Sequence, residues 1–305
     1  MSDGPAQFRR WFAVLNPVSG RGRAQRDRAR IEAALRAHHL ETIVEVSRYA
    51  GHALPLIGHA LDAGERNILA VGGDGTMHEA ANAILKHRAA SNVTLAPLPV
   101  GTGNDWCRFL RVPSDYDAVA ARCARGRTEL VDVGEARCAG SEQGRFFVNV
   151  AGAGFDAHVL ERLPDRRFGA LGYLAGVLCG LAGYRPQPMR LQDDTAVVEA
   201  RTFVVFACLG AYCGGGMNVA PGADLHDGAF DIVHVGDLGR LDALVSLRRL
   251  FDGTIGRHPK VRTLRSTRLA IDAPSALAVE ADGELIGRTP VRLSVVRNAL
   301  RVLAE

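Results

Sequence analysis

The first 130 residues are constrained by a rhythm. Short apolar runs alternate with helix-patterned segments, and three of the runs end in glycine-rich loops. Residues 11–15, 42–46, 68–71 and 93–96 read as strands, the first stopped by Asn16-Pro17 because proline cannot continue a ladder. Between them lie an arginine-rich helix running to about residue 39, with Ile31, Ala34 and Leu35 on one face, a helix over 51–63 with Pro55 in its first turn, and a helix over 77–87. Strands this short and this apolar, separated by helices, form a parallel sheet covered on both faces. Open sheets of this kind bind ligands beyond the carboxyl ends of their strands, where the glycine loops sit.

After about residue 130 the rhythm changes. Segments 128–134, 145–151, 196–209, 229–235, 268–272, 276–281 and 291–296 are strand-like and mostly separated by turn signals. They predict a second, mainly antiparallel domain of sandwich type, with helices over 168–184 and 238–252. The expected organisation is an α/β nucleotide-binding domain over 1–130 and a β-rich domain over 131–305, with no fixed-period repeat and no low-complexity linker. Segment 168–184, FGALGYLAGVLCGLAGY, is the only long run without charge. It falls short of the ~20 apolar residues of a spanning helix and reads as a buried or surface-docking helix.

Composition excludes some chemistry. Of 37 basic residues only Lys86 and Lys260 are lysine, and neither follows the glycine of a Walker A loop or sits in a kinase V-A-I-K strand. Any ATP site must therefore work without those two lysine devices. Genomic base composition is sufficient to explain the arginine bias. A net charge of +4 gives no argument for nucleic acid. The arginines of the first forty residues suit a solvated helix face, with an anionic membrane as the other reading. The six cysteines form no C-x-x-C pair, and the first residues lack an apolar h-region, so the expectation is a cytoplasmic chain with reduced thiols and no signal peptide.

Gly72-Gly73-Asp74-Gly75-Thr76 follows the third strand. Glycines there allow positive φ and let backbone amides approach a ligand, while a helix starting at Thr76, with that threonine as N-cap, aims its open N–H groups at the same point. Polyphosphate is the natural occupant, with Asp74 placed for a metal or a ribose hydroxyl. Gly101-Thr102-Gly103-Asn104-Asp105 offers a second cradle, with Thr102 and Asn104 as donors and Asp105 as acceptor or metal partner. A third loop, NPVSGRG at 16–22, misses the dinucleotide fingerprint because Gln25 stands at its third glycine position; it is kept as a phosphate-facing loop. In the second half, Asp224–Asp231 and Asp282-Gly283-Glu284 place carboxylates on turns, where they suit a hard cation or a general base, although Asp-Gly is also an ordinary hairpin turn. His78, His226 and His234 lack metal-ligand spacing.

These motifs, in order, resemble the bacterial soluble lipid kinases of the diacylglycerol kinase catalytic-domain family, relatives of sphingosine and ceramide kinases. The likeness runs through NPVSGRG (16–22), GGDGTMHEAAN (72–82), LPVGTGNDW (98–106), FVNVAGAGFDA (147–157), GGGMNVAPGADLHDGAFD (214–231) and EADGE (280–284). GGDGT alone also fits NAD kinases and phosphofructokinases. The resemblance implies a phosphofructokinase-like α/β domain on a β-rich domain with the cleft between them, and a final segment near 295–305 that returns to the first domain. It implies ATP bound along Asn16, Ser47, Gly72 to His78 (Gly75, Thr76 and Met77 included), Gly101, Thr102 and Asn104. Ser47 stands where the family usually has threonine, ahead of Gly51-His52-Ala53 rather than Gly-Asp-Ala. Glu284 is implied as the base for the lipid hydroxyl, with Asp74 and Asp105 near the nucleotide metal, and Asp227 as anchor of a structural magnesium completed by carbonyls near Asp224 and Ala229.

The reading is an ATP- and Mg²⁺-dependent lipid kinase whose substrate is a lipid with a free hydroxyl, peripheral at the inner face of the membrane, with a homodimer left open. Two alternatives stay open: a kinase of a soluble hydroxyl compound, NAD-kinase-like, and a non-catalytic nucleotide sensor.

Overall fold

The computed structural model describes residues 10–141, 143–162, 176, 179–181 and 183–305. Two compact units emerge: one runs to Val131 and is joined by Ala299–Glu305, and the other is Asp132–Asn298.

The first unit contains strands β1 (Arg10–Leu15), β2 (Glu41–Val46), β3 (Asn67–Gly72) and β4 (Thr94–Pro99), with helices α1 (Ser19–Arg26), α2 (Arg28–Ala37), α3 (Ala53–Asp62), α4 (Asp74–Leu85), α5 (Asp105–Phe109) and α6 (Tyr116–Arg125). The strands lie parallel in the order β2-β1-β3-β4, and Arg301 and Val302 of the chain's last strand add a further parallel rung against Thr94 and Leu95. β1, β3 and β4 are apolar after their first residue because helices cover both faces; β2, at the edge, is half-exposed. One core packs Trp11, Ala13 and Leu15 with Ile31, Leu35, Leu69, Leu98, Val119 and Leu303. The chain passes from β1 to β2 on one side and to β3 on the other, so the switch in strand order lies between the ends of β1 and β3.

The second unit takes up β5 (Thr128–Cys138) from its fifth residue on. It continues through β6 (Arg145–Phe147), β7 (Val150–Gly154), α7 (Phe155–Arg162), β8 (Gln187–Gln192), β9 (Val197–Thr202), β10 (Val204–Cys208), β11 (Tyr212–Cys213), β12 (Met217–Asn218) and β13 (Phe230–Val235). Then come α8 (Arg240–Phe251), β14 (Val261–Ser266), β15 (Arg268–Asp272), β16 (Ala278–Ala281), β17 (Glu284–Arg288) and β18 (Val291–Leu303), the last leaving the unit after Asn298. One antiparallel sheet has the order β14-β13-β10-β7-β16-β17; a second runs through β18, β15, β8 and β9. This is the antiparallel sandwich that follows the parallel α/β unit.

Three readings of the sequence change. The run 196–209 is two strands in different sheets, broken at Phe203, whose N–H donates to Val235 and Gly236 carbonyls. The arginine-rich helix is two helices, with Gly20, Arg21 and Gly22 left-handed at its start. The expected helix over 168–184 lies largely outside the described residues; Gly176, Cys179, Gly180, Leu181 and Gly183 within it are helical. The described residues contain no helix long and apolar enough to cross a membrane.

Candidate active site

Three loops leave the carboxyl ends of β1, β3 and β4 and are tied to one another. Asn16 donates its backbone N–H to Val71 O at 3.0 Å and its Nδ2 to Thr76 Oγ1 at 3.2 Å, fastening the first loop to the first turn of α4. Arg23 Nη2 donates to Val100 O at 2.9 Å, and the amides of Val100 and Gly101 both reach Gly72 O, at 2.8 and 3.1 Å. The second and third loops meet at glycine: a Cβ on Gly101 would lie 2.5 Å from Gly73 Cα and 2.7 Å from Asn104 Oδ1. Glycine is required there for close approach. It is not required for φ, since Gly72, Gly73, Gly75 and Gly101 all lie outside the left-handed region. That corrects the conformational half of the sequence argument and keeps the steric half.

α4 begins two residues earlier than expected, at Asp74 with Gly73 as N-cap. Thr76 is therefore not the cap; its hydroxyl receives Asn16 and packs over Gly72, where any Cβ would overlap it. Met77 and His78 are fully buried in the first turns of the helix. Asn104, left-handed, curls its Nδ2 back onto Gly101 O at 2.8 Å. It thus presents an acceptor, Oδ1, where a donor was expected. That oxygen is buried and has no hydrogen-bond partner among the described residues.

A polyphosphate nucleotide fits this cradle. The first-turn amides of a helix have no intrahelical acceptor and favour negative charge, and α4 starts at the glycine pair. Asn104 Oδ1 awaits a donor such as a ribose hydroxyl or base amine. Asp74 Oδ1 accepts Trp106 N–H at 3.3 Å, while Asp105, almost fully buried, pairs with Arg108 at 3.7 Å. Burial, and after it the charges of Asp74 and Asp105, raise the Cys107 thiol well above its ordinary range. Two carboxylates beside a phosphate cradle are the protein's usual share of a magnesium–nucleotide site. Thr102 is exposed on the same loop, and Ser47, buried, follows β2 with its N–H on Leu15 O at 2.9 Å. Sequence reasoning missed Glu79. Its carboxylate accepts Gly51 N–H at 2.8 Å and Ala53 N–H at 3.1 Å, so it fixes the Gly51-His52-Ala53 turn from within the GGDGTMHEAAN run.

In the second unit the Asp282-Gly283 turn joins β16 to β17, both residues left-handed. Glu284 is the half-buried first residue of β17, one step past the turn. Asp282 is structural: its carboxylate accepts the N–H groups of Val148, Asn149 and Val150 at 3.0, 2.9 and 3.3 Å. Beneath it, Glu280 Oε2 accepts Gly283 N–H at 2.8 Å. Glu280 faces Asp156, and both are buried. Burial drives Glu280 well above the carboxylate range, with the Asp156 charge adding to it, and raises Asp156 to about 6. The Asp156 carboxyl lies beside the Glu280 carboxyl and the backbone amides at the start of α7. The sequence signal for this pair was present in FVNVAGAGFDA and EADGE, but not the fact that the two segments adjoin.

The residues expected to hold a structural magnesium have partners within the protein. The Asp227 carboxylate is engaged by Arg265 and by Ala229 N–H, and its carbonyl accepts Arg297 at 2.9 Å. Asp224 accepts the N–H of His226 at 2.9 Å. No group of three His, Cys, Asp or Glu side chains gathers for a metal among the described residues. The loop is held from below by Asp132, fully buried, which accepts Gly228 N–H at 2.7 Å and Asn298 N–H at 2.8 Å.

Known proteins match both units. Residues 10–136 match the diacylglycerol kinase catalytic domain, and 149–304 match the YegS C-terminal NAD kinase beta sandwich-like domain. The chain is 30% identical over 296 residues to a diacylglycerol kinase of Mycobacterium tuberculosis, covering 95% of this chain and 94% of that one. It is 28% identical over 273 residues to a probable YegS-like lipid kinase of Alcanivorax borkumensis, covering 86% of each. A crystal structure of a putative diacylglycerol kinase from Bacillus anthracis superposes with a TM-score of 0.79 over 98% of each chain at 23% identity, a likeness of fold.

Proposed function

The chain belongs to the diacylglycerol kinase catalytic-domain family of lipid kinases, and from that premise we propose that it carries the γ-phosphate of ATP to the free hydroxyl of diacylglycerol or a close relative. The observation that carries the ATP half is the Gly73–Gly101 approach at the start of α4, where side chains are excluded and amides are presented. No lysine is needed, because phosphoryl transfer asks mainly for positioning and charge neutralisation. Asn16, Thr76 and Arg23 hold the three loops in register; Asn104 Oδ1 and Thr102 are assigned to the nucleotide.

Magnesium, entering with the nucleotide beside Asp74 and Asp105, would neutralise phosphate charge. Glu284 is assigned as the general base. The lipid oxygen bonds to the γ-phosphorus, the bond to the β–γ bridging oxygen breaks, ADP leaves, and the hydroxyl proton passes to the Glu284 carboxylate. Asp282 and Glu280 are positioning residues that hold the turn from which Glu284 projects. Full-length similarity to relatives named lipid kinases favours a lipid acceptor over a soluble one, and the lipid places the working protein at a membrane surface.

Transfer of labelled phosphate from ATP into diacylglycerol, extracted into organic solvent, tests the reaction. Glu284→Gln is expected to lower kcat by at least roughly a hundredfold while ATP affinity stays within about twofold. A variant with full turnover would remove Glu284 from the role; label that stays in the aqueous phase would point to a soluble acceptor.

A further inference from the structure

Helix α8, RLDALVSLRRLF, is apolar on both faces. Its inner face is accounted for: Ala243 and Ser246 are buried, and Leu247 and Leu250 pack on the core of the second unit. Its outer face has no partner among the described residues. Leu241 is 80% exposed, Val245 75%, Phe251 52% and Leu244 49%, so half of the large exposed hydrophobic side chains among the described residues sit on this one helix. Leu241, Leu244 and Val245 follow i, i+3, i+4 spacing and so form one stripe.

The charges around the stripe are mostly basic. Arg240 begins the helix, Arg248 stands four residues after Leu244, and Arg249 four after Val245. Arg257 follows in the next turn. Of the acids, Asp242 is paired with Lys260 at 3.2 Å, and the exposed Asp252, near Arg248 and Arg249, accepts the N–H and hydroxyl of Thr254. Arginine stems can lie along an apolar surface while their heads reach phosphate.

A second copy of the chain is a poor occupant. Twelve residues make a helix about 18 Å long, and its four exposed apolar side chains bury a few hundred Å² per copy, below the ~800 Å² per partner of a stable dimer. A two-fold contact along the stripe would also bring arginines together. A bilayer asks only for a few apolar side chains at the headgroup boundary and basic side chains beside them.

We propose that the outer face of α8 docks the protein on an anionic bilayer, with Leu241, Leu244, Val245 and Phe251 entering the interface and Arg240, Arg248 and Arg249 meeting lipid phosphates. The choice of a lipid surface rests on the lipid-kinase reading; its test does not use catalysis.

The full chain is mixed, without ATP, with vesicles of pure phosphatidylcholine or of equal parts phosphatidylcholine and phosphatidylglycerol, and bound protein is measured by flotation. Wild type is expected on the mixed vesicles and only weakly on the neutral ones. Leu241→Asp with Val245→Asp should lower binding roughly tenfold or more at unchanged melting temperature and unchanged mass by light scattering. Arg248→Glu with Arg249→Glu should abolish the preference for anionic vesicles. The proposal falls if wild type does not float, if the apolar variant floats like wild type, or if that variant's only change is from dimer to monomer. Vesicle binding without lipid phosphorylation would leave the surface standing and overturn the substrate instead.

Discussion

Asp156 and Glu280 form a buried acidic pair, with Asp282 adding negative charge from the turn and Cys208 lying within electrostatic reach. Both carboxyls bind a proton more tightly folded than unfolded. Folding is therefore favoured at low pH, and that advantage is lost as pH rises from the ordinary carboxylate range toward about 6 for Asp156 and beyond for Glu280. Asp156→Asn removes one of the two titrations and leaves Glu280 an amide donor. The variant should gain about 2 kcal/mol over wild type at neutral pH and little in mild acid. Melting curves across that range check it, and parallel curves would show that the pair is not titrating. At the nucleotide loops, Gly101→Ala should raise the KM for ATP roughly tenfold, because its methyl must push Gly73 and Asn104 apart. Gly58→Ala, inside α3 with open space around its Cβ, is the matched control and should stabilise by about 0.5–1 kcal/mol. If both changes act alike on KM, the close approach is not what the cradle requires. The glycines were legible in the sequence, and so was Asp74. The reversal of the Asn104 amide was not, because it follows from a left-handed backbone angle rather than from residue type.

Among elements, the β16–β17 hairpin shows how an ordinary turn becomes a platform. Asp282-Gly283 is a common hairpin sequence, yet the Asp282 carboxylate also gathers three amides from the segment entering β7. Asp282→Ala leaves those donors without their acceptor and puts a Cβ residue without a compensating side chain at positive φ. A loss of about 3 kcal/mol is expected, read as a lower urea midpoint at constant slope. Glu284 would be misplaced at the same time, so kcat should fall more than KM changes; a stability loss with untouched kcat would separate turn from base. The same scale explains what the sequence could not show. β1, β3 and β4 were visible because burial on both faces makes them apolar after their first residue. β8, QPMRLQ, β14, VRTLRS, and β17, ELIGR, escaped because each run is short and holds few apolar residues. β9 and β10 fused into one reading because the break at Phe203 carries no glycine or proline.

At the scale of the whole molecule, the order of the chain is not the order of its units. The last residues, Ala299–Glu305, belong with the first unit, where Arg301 and Val302 pair with Thr94 and Leu95 and Ala304 N–H reaches Arg127 O at 3.0 Å. Leu300, Val302 and Leu303 are buried there. At about 2 kcal/mol for each buried side chain, these three contribute on the order of 6 kcal/mol, a large part of the stability of a typical domain. Ending the chain at Asn298 would also expose the buried edge of β4, a template for pairing with other chains. The nucleotide loops after β3 and β4 are built on that edge. The truncated chain is therefore expected to lose ATP binding and to aggregate, although every residue assigned to the nucleotide is still present. The milder Leu300→Ala should cost about 3 kcal/mol and keep ATP affinity at low temperature. Titration with a fluorescent ATP analogue, read beside far-ultraviolet circular dichroism, separates the outcomes. A soluble chain ending at Asn298 that bound ATP like wild type would mean that the final strand adds nothing to the first unit.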